Sequence, residues 1–124
     1  MPQPKLLVID DEQGVLDMIR GHFEPRGFEV YTALDGREGI RICEQVRPGM
    51  ILLDLKMKGL DGDQACPELR RLVPQARIFL VTAYEDEIVA KRGAALGIDA
   101  VFEKPISILK LEKEIRAALG LAKP

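Results

Sequence analysis

A chain of 124 residues with 47% hydrophobic and 31% charged residues is long enough for one domain with a real core and too short for two. Its net charge of -2, with acids and bases interleaved, excludes an electrostatic footprint for nucleic acid, and no run of about 18 apolar residues is present to span a membrane. One histidine cannot build a multi-histidine metal site, and two cysteines, Cys43 and Cys66, match no metal spacing. With no export signal in view they read as reduced thiols, one in the core and one partly buried on a helix, in a cytoplasmic protein.

In chain order, Lys5 to Asp10 reads as a buried strand that ends on two acids, Asp10 and Asp11. A helix over residues 13–24 follows, with Leu16, Ile19 and Phe23 as its core stripe and Gly27 at its exit. Beside that stripe Val15, Met18 and His22 form a second one, with His22 expected in solvent. Residues 28–32 alternate as an edge strand would, and Asp35 with Glu38 makes a capping box that opens a second helix, stopped by Pro48-Gly49. In that helix Ile42, Cys43 and Val46 face inward.

The stretch Met50-Ile-Leu-Leu-Asp54 has the continuous apolar character of a strand buried on both faces, then delivers one carboxylate and breaks into a loop with Gly59 and Gly62. A third helix is predicted over residues 63–73, with Pro67 tolerable only near its first turn. Residues 77–82 form a fourth buried strand that ends on Thr82. Acids at 85–87 open a helix closed by Gly97, residues 99–103 form a fifth strand that delivers Lys104-Pro105, and Ser107 caps a last helix through 119. On that helix Ile108, Leu111, Ile115 and Leu119 share the inner face.

Alternating strands and helices with short connections predict a single α/β domain over residues 1–124, a (βα)5 three-layer sandwich around a parallel sheet of order 2-1-3-4-5. All the strand ends named above then point to one side. An Asp-Asp pair after a strand is by itself often a helix cap, a strand-final Thr often only β-branched packing, and Lys-Pro often a loop. Together at four strand ends they describe chemistry. Carboxylates in such proximity call for a hard cation, and Mg2+ suits them. Lys104 and Thr82 supply a positive charge and a hydroxyl for phosphoryl oxygens, and Asp54 a nucleophile.

These residues carry a resemblance. Val-Ile-Asp-Asp-Glu at 8–12, Asp54 followed by Gly62, Val-Thr-Ala at 81–83 and Lys-Pro at 104–105 resemble the response regulator receiver domains of two-component systems, over residues 5–119. Within that family the chain is similar to stand-alone receivers such as the sporulation phosphorelay intermediate. The resemblance implies a flavodoxin-like fold and Asp54 as the phosphoacceptor. It implies Mg2+ held by Asp10, Asp11, Asp54 and the backbone carbonyl of Lys56. Thr82 and Lys104 become phosphoryl ligands, with a cis bond before Pro105. It also implies a phosphoacceptor with self-phosphorylation and autophosphatase chemistry rather than a metabolic enzyme. The partner would be a histidine kinase or histidine phosphotransfer protein, with no direct nucleic-acid contact, no membrane and self-association limited to a weak dimer.

The chain departs from the family at two places. Met57-Lys58 stands where Met-Pro is common, and Val101 where the family usually carries a Tyr or Phe that swings when Thr82 engages phosphate; Phe102 or Tyr84 is a partial substitute. Lys56 and Tyr84 border the path of attacking water, so slow self-hydrolysis is expected. The rim of the first helix, Val15 and Met18, is the expected docking edge. The competing reading is a small Mg2+-dependent phosphohydrolase with an aspartyl nucleophile, but Lys56 stands where its second carboxylate belongs.

Overall fold

Five apolar runs pair in parallel in the computed structural model, which describes residues 2–54, 62–83 and 97–122, with only the backbone of residues 62 and 63. The strands are β1 (Lys5–Ile9), β2 (Glu29–Ala33), β3 (Met50–Leu53), β4 (Arg77–Thr82) and β5 (Ala100–Glu103), in the order β2-β1-β3-β4-β5. The helices among the described residues are α1 (Gln13–Phe23), α2 (Gly36–Val46), α3 (Gly62–Leu72) and α4 (Ile108–Ala118), with a 3-10 turn at Glu24–Arg26. The helix expected to open at residues 85–87 lies outside the described residues.

The two faces of the sheet carry separate cores, because side chains alternate along a strand. Leu7, Ile9, Ile51, Leu53, Ile78 and Leu80 point to α2 and α3, whereas Leu6, Val8, Met50, Leu52, Phe79 and Val81 point to α1 and α4. All four residues of β3 are buried, as its unbroken apolar run predicts. Each fully buried Leu or Ile contributes about 1.5–3 kcal/mol of transfer free energy.

Local signals set most helix ends. Asp35 accepts the Glu38 amide at 2.9 Å to start α2, and Ser107 accepts the Lys110 amide at 3.3 Å to start α4. Gly27, at φ 91°, provides the left-handed turn out of the 3-10 segment. At Gly39 a Cβ would collide with the Ile9 side chain, so the glycine is what lets α2 lie close on β1.

Four expectations need correction. Pro67 is the sixth residue of α3, in its second turn rather than its first, because the helix starts at Gly62 and runs through it. Cys66 is fully buried like Cys43, because α3 turns it onto the sheet. Ile42 and Val46 are only partly buried; Gly36, Gly39 and Cys43 form the buried face of α2 instead. His22 is not in solvent: its side chain is 11% exposed and its Nε2 lies 2.8 Å from Oε1 of Glu112 on α4, which packs against α1.

Candidate functional site

Strand register places the chemistry. Ile9 and Leu53 are partners in the β1–β3 ladder, so Asp10 and Asp54, one residue on, leave the sheet side by side. The ladder runs one bond further, with the Asp54 amide donating to the Ile9 carbonyl at 3.0 Å. Thr82 closes β4 opposite Glu103, and the Lys104 amide then donates to the Thr82 carbonyl at 2.7 Å. The Lys104–Pro105 peptide is cis, in line with the expectation.

From the end of β5 the Lys104 side chain reaches over the neighbouring strand ends. Its Nζ lies 2.8 Å from Asp10 Oδ2, 3.2 Å from Asp54 Oδ2 and 3.3 Å from Glu12 Oε1. Asp10 and Asp54 are buried, and Thr82 is fully so. Asp10 Oδ1 also accepts the Glu12 amide at 2.9 Å. Burial pushes the Asp10 carboxyl up from its ordinary value, against the Lys104 ammonium and the Glu12 amide, which favour its charged form. For Lys104, burial disfavours the charge, but Asp10 and Asp54 outweigh it and raise the ammonium's pKa.

Asp10, Asp11, Glu12 and Asp54 each offer a carboxylate oxygen, and these oxygens lie within 4.8 Å of one another. Among the described residues, three of these carboxylates share the Lys104 ammonium in a partly buried site. Hard oxygen donors at that spacing fit a divalent cation.

The sequence-predicted residues Asp10, Asp11, Asp54 and Lys104 are therefore brought together, with Thr82 at the adjoining strand end. Lys56 and Tyr84 lie outside the described residues. Val101 packs against the α2–α3 core, while Phe102 points through the other face, 5.3 Å from the Phe79 ring. Phe102 thus cannot stand in for an aromatic ring at 101. Glu12 has no assigned role in the sequence reading; three acids in a row were its only signal.

Beside Lys104 runs a groove of about 430 Å³ lined by Val15, Met18, Ile19, Ala83, Pro105 and Ile106 among others. Met18 on its rim is 48% exposed.

Known proteins agree with this geometry. Residues 6–116 match the model of the response regulator receiver domain. The chain is 33% identical over 115 residues to the alkaline phosphatase synthesis transcriptional regulatory protein PhoP of Bacillus subtilis (strain 168), covering 93% of this chain and 48% of that protein. It thus spans about half the length of that relative. Among solved structures, a CheY-like receiver domain protein from Methanospirillum hungatei JF-1 superposes with a TM-score of 0.92 at 25% identity, covering 95% of this chain and 94% of that one. Chemotaxis protein CheY4 of Vibrio cholerae gives 0.88 at 24% identity, covering 94% and 98%. A response regulator from Burkholderia pseudomallei, solved with a phosphorylated aspartic acid, calcium ion and citrate, gives 0.84 at 25%, covering 98% and 75%. No helix among the described residues is long and apolar enough to cross a membrane. From the strand order, the acids and lysine at the strand ends and the matched family model, this chain belongs to the response regulator receiver domain family of two-component signalling.

Proposed function

We propose that the domain accepts a phosphoryl group on Asp54 from a phosphohistidine and then relays it or slowly hydrolyses it. The observation that carries this reading is the Lys104 ammonium set 3.2 Å from Asp54 Oδ2 and 2.8 Å from Asp10 Oδ2, at the open ends of buried strands. Two buried carboxylates held beside one cation is an arrangement poised for a phosphoryl group rather than for stability. The Burkholderia pseudomallei relative with its phosphorylated aspartic acid and calcium ion supports the same reading.

Asp10, Asp11 and Asp54, with the backbone carbonyl of Lys56, are the residues to hold Mg2+. Held there, a divalent cation would supply positive charge to offset the carboxylates and the phosphoryl oxygens. An Asp54 oxygen attacks phosphorus in line; the P–N bond to the donor histidine breaks as the P–O bond forms, and the electron pair stays on the imidazole nitrogen. Lys104 and the Thr82 hydroxyl then bind phosphoryl oxygens. The partner, a histidine kinase or histidine phosphotransfer protein, lays a helix in the apolar groove beside Lys104, against Val15 and Met18.

Incubation with Mg2+ and acetyl phosphate tests this. One hydroxylamine-labile phosphoryl group per chain is the expected result, and Asp54→Asn should abolish it. Labelling of that variant at the wild-type rate overturns the assignment. Met18→Asp should block transfer from the phosphohistidine partner and leave labelling by acetyl phosphate intact.

A further inference from the structure

Lys104 has three carboxylate partners among the described residues, and they are unequal. Asp10 and Asp54 are buried, with side chains 4% and 7% exposed, whereas Glu12 is 64% exposed. Glu12 is also the N-cap of α1, yet its side chain makes no capping hydrogen bond. Glutamate is not among the short side chains that cap helices, so Glu12 is free of that role. Here that side chain is turned across the site to Lys104 instead, with Oε1 3.3 Å from Nζ.

A divalent cation bound by Asp10 and Asp54 repels the ammonium and draws charge from the carboxylates it leans on, weakening its hold on both. Lysine carries its charge on a flexible four-carbon stem with three rotatable donors, so it can pivot without leaving the site. The one carboxylate it already touches at the solvent edge is Glu12. We propose that Glu12 is a positioning residue for Lys104: it receives the ammonium when a divalent cation claims Asp10 and Asp54, and holds it at the mouth until a phosphoryl group draws it in. This rests on the metal-dependent phosphoacceptor reading above and adds a residue to it. Glu12 thereby makes cation binding and the later capture of phosphate compatible, since Lys104 neither blocks the first nor drifts away before the second.

The test is a double-mutant cycle on Mg2+ affinity, read by calorimetry and by amide shifts, with no phosphodonor present. Glu12→Gln should weaken Mg2+ binding about three- to fivefold, the range of a partly exposed ion pair. In a Lys104→Met background the same change should have almost no effect, because no ammonium remains to be housed. The Lys104 ammonium resonance should shift on adding Mg2+ to the wild type and move to a free-lysine value in Glu12→Gln. Both variants keep the helix cap, which does not use the Glu12 side chain. An equal loss of affinity in both backgrounds would make Glu12 a direct ligand or a bulk charge and overturn the proposal. So would unchanged affinity in Glu12→Gln. If the wild type itself binds no Mg2+, the metal-dependent reading fails and this proposal with it; normal Mg2+ binding without coupling between Glu12 and Lys104 removes this proposal alone.

Discussion

Among the described residues two places bury a carboxylate, and they surround it differently. Glu112, on α4, is 1% exposed and ringed by nitrogens: His22 Nε2 at 2.8 Å and Arg26 Nε at 3.5 Å on one oxygen, Arg116 Nε at 2.8 Å on the other. Burial alone would raise its pKa, but the Arg116 and His22 contacts hold the carboxyl below the usual value. Arg116 is further fixed over the Phe28 ring at 5.4 Å. At the strand ends, among the described residues, Asp10, Asp54 and Glu12 all lean on the Lys104 ammonium, and burial pushes the Asp10 carboxyl up. A carboxylate with surplus partners fastens α4 to α1. The acids at the strand ends, with oxygens gathered within 4.8 Å of one another, form a donor set that could hold a cation. Burial of charge does not by itself mark function; the count of counter-charges does.

The sharpest way to break that comparison is to delete each group. Glu112→Ala should cost about 3 kcal/mol in urea unfolding, the lower end for breaking a buried pair because Arg26 reaches solvent. Asp10→Asn, measured in EDTA, should be neutral or slightly stabilising. Similar losses from both would mean the two clusters do the same job.

Next in size is the response to metal. At tenfold its dissociation constant Mg2+ should raise stability by about 1.4 kcal/mol in wild type. Asp11→Ala should lose that increment, while the distant Glu112→Ala keeps it. An increment lost equally in both variants would tie the two regions together.

A smaller effect separates the two by pH. The Glu112 carboxyl titrates lower in the folded chain than in the unfolded one, so its stabilisation is present above the unfolded value and lost as pH falls through the folded one. The gap between wild type and Glu112→Gln should therefore close below about pH 4. Asp10 is raised, so its contribution has the opposite sign: present at low pH and lost as pH rises through its folded value. Asp10→Asn should then gain on wild type as pH climbs from 3 to 7. Parallel profiles for the two variants would refute the contrast.

The smallest expected effect concerns a buried group with neither role. Burial pushes the Cys43 thiol up to about 11, against a small pull from Arg47, so it stays neutral. Alkylation of native protein at pH 8 should be slow at Cys43 until denaturant is added.

Much of this was legible locally. The unbroken apolar run of β3, the Asp35 and Ser107 caps and the order of Asp10, Asp54, Thr82 and Lys104 all depend on neighbours within a few residues, and strand periodicity puts their ends on one side. The Glu112 cluster was not legible, because His22 and Glu112 are 90 positions apart and meet only when α1 and α4 dock on the same sheet face. In sequence Glu112 is a charged residue beside Leu111; its burial is made tolerable by Arg116 one turn on and by His22 and Arg26 brought in from α1 and the 3-10 turn. The reach of Lys104 to Glu12 spans 92 positions and depends on β1 and β5 ending at one edge of a twisted sheet. Composition and periodicity determined which residues stand at the strand ends. Which charges share a partner was decided by tertiary packing, because the count of counter-charges around a group is a property of space and not of sequence separation.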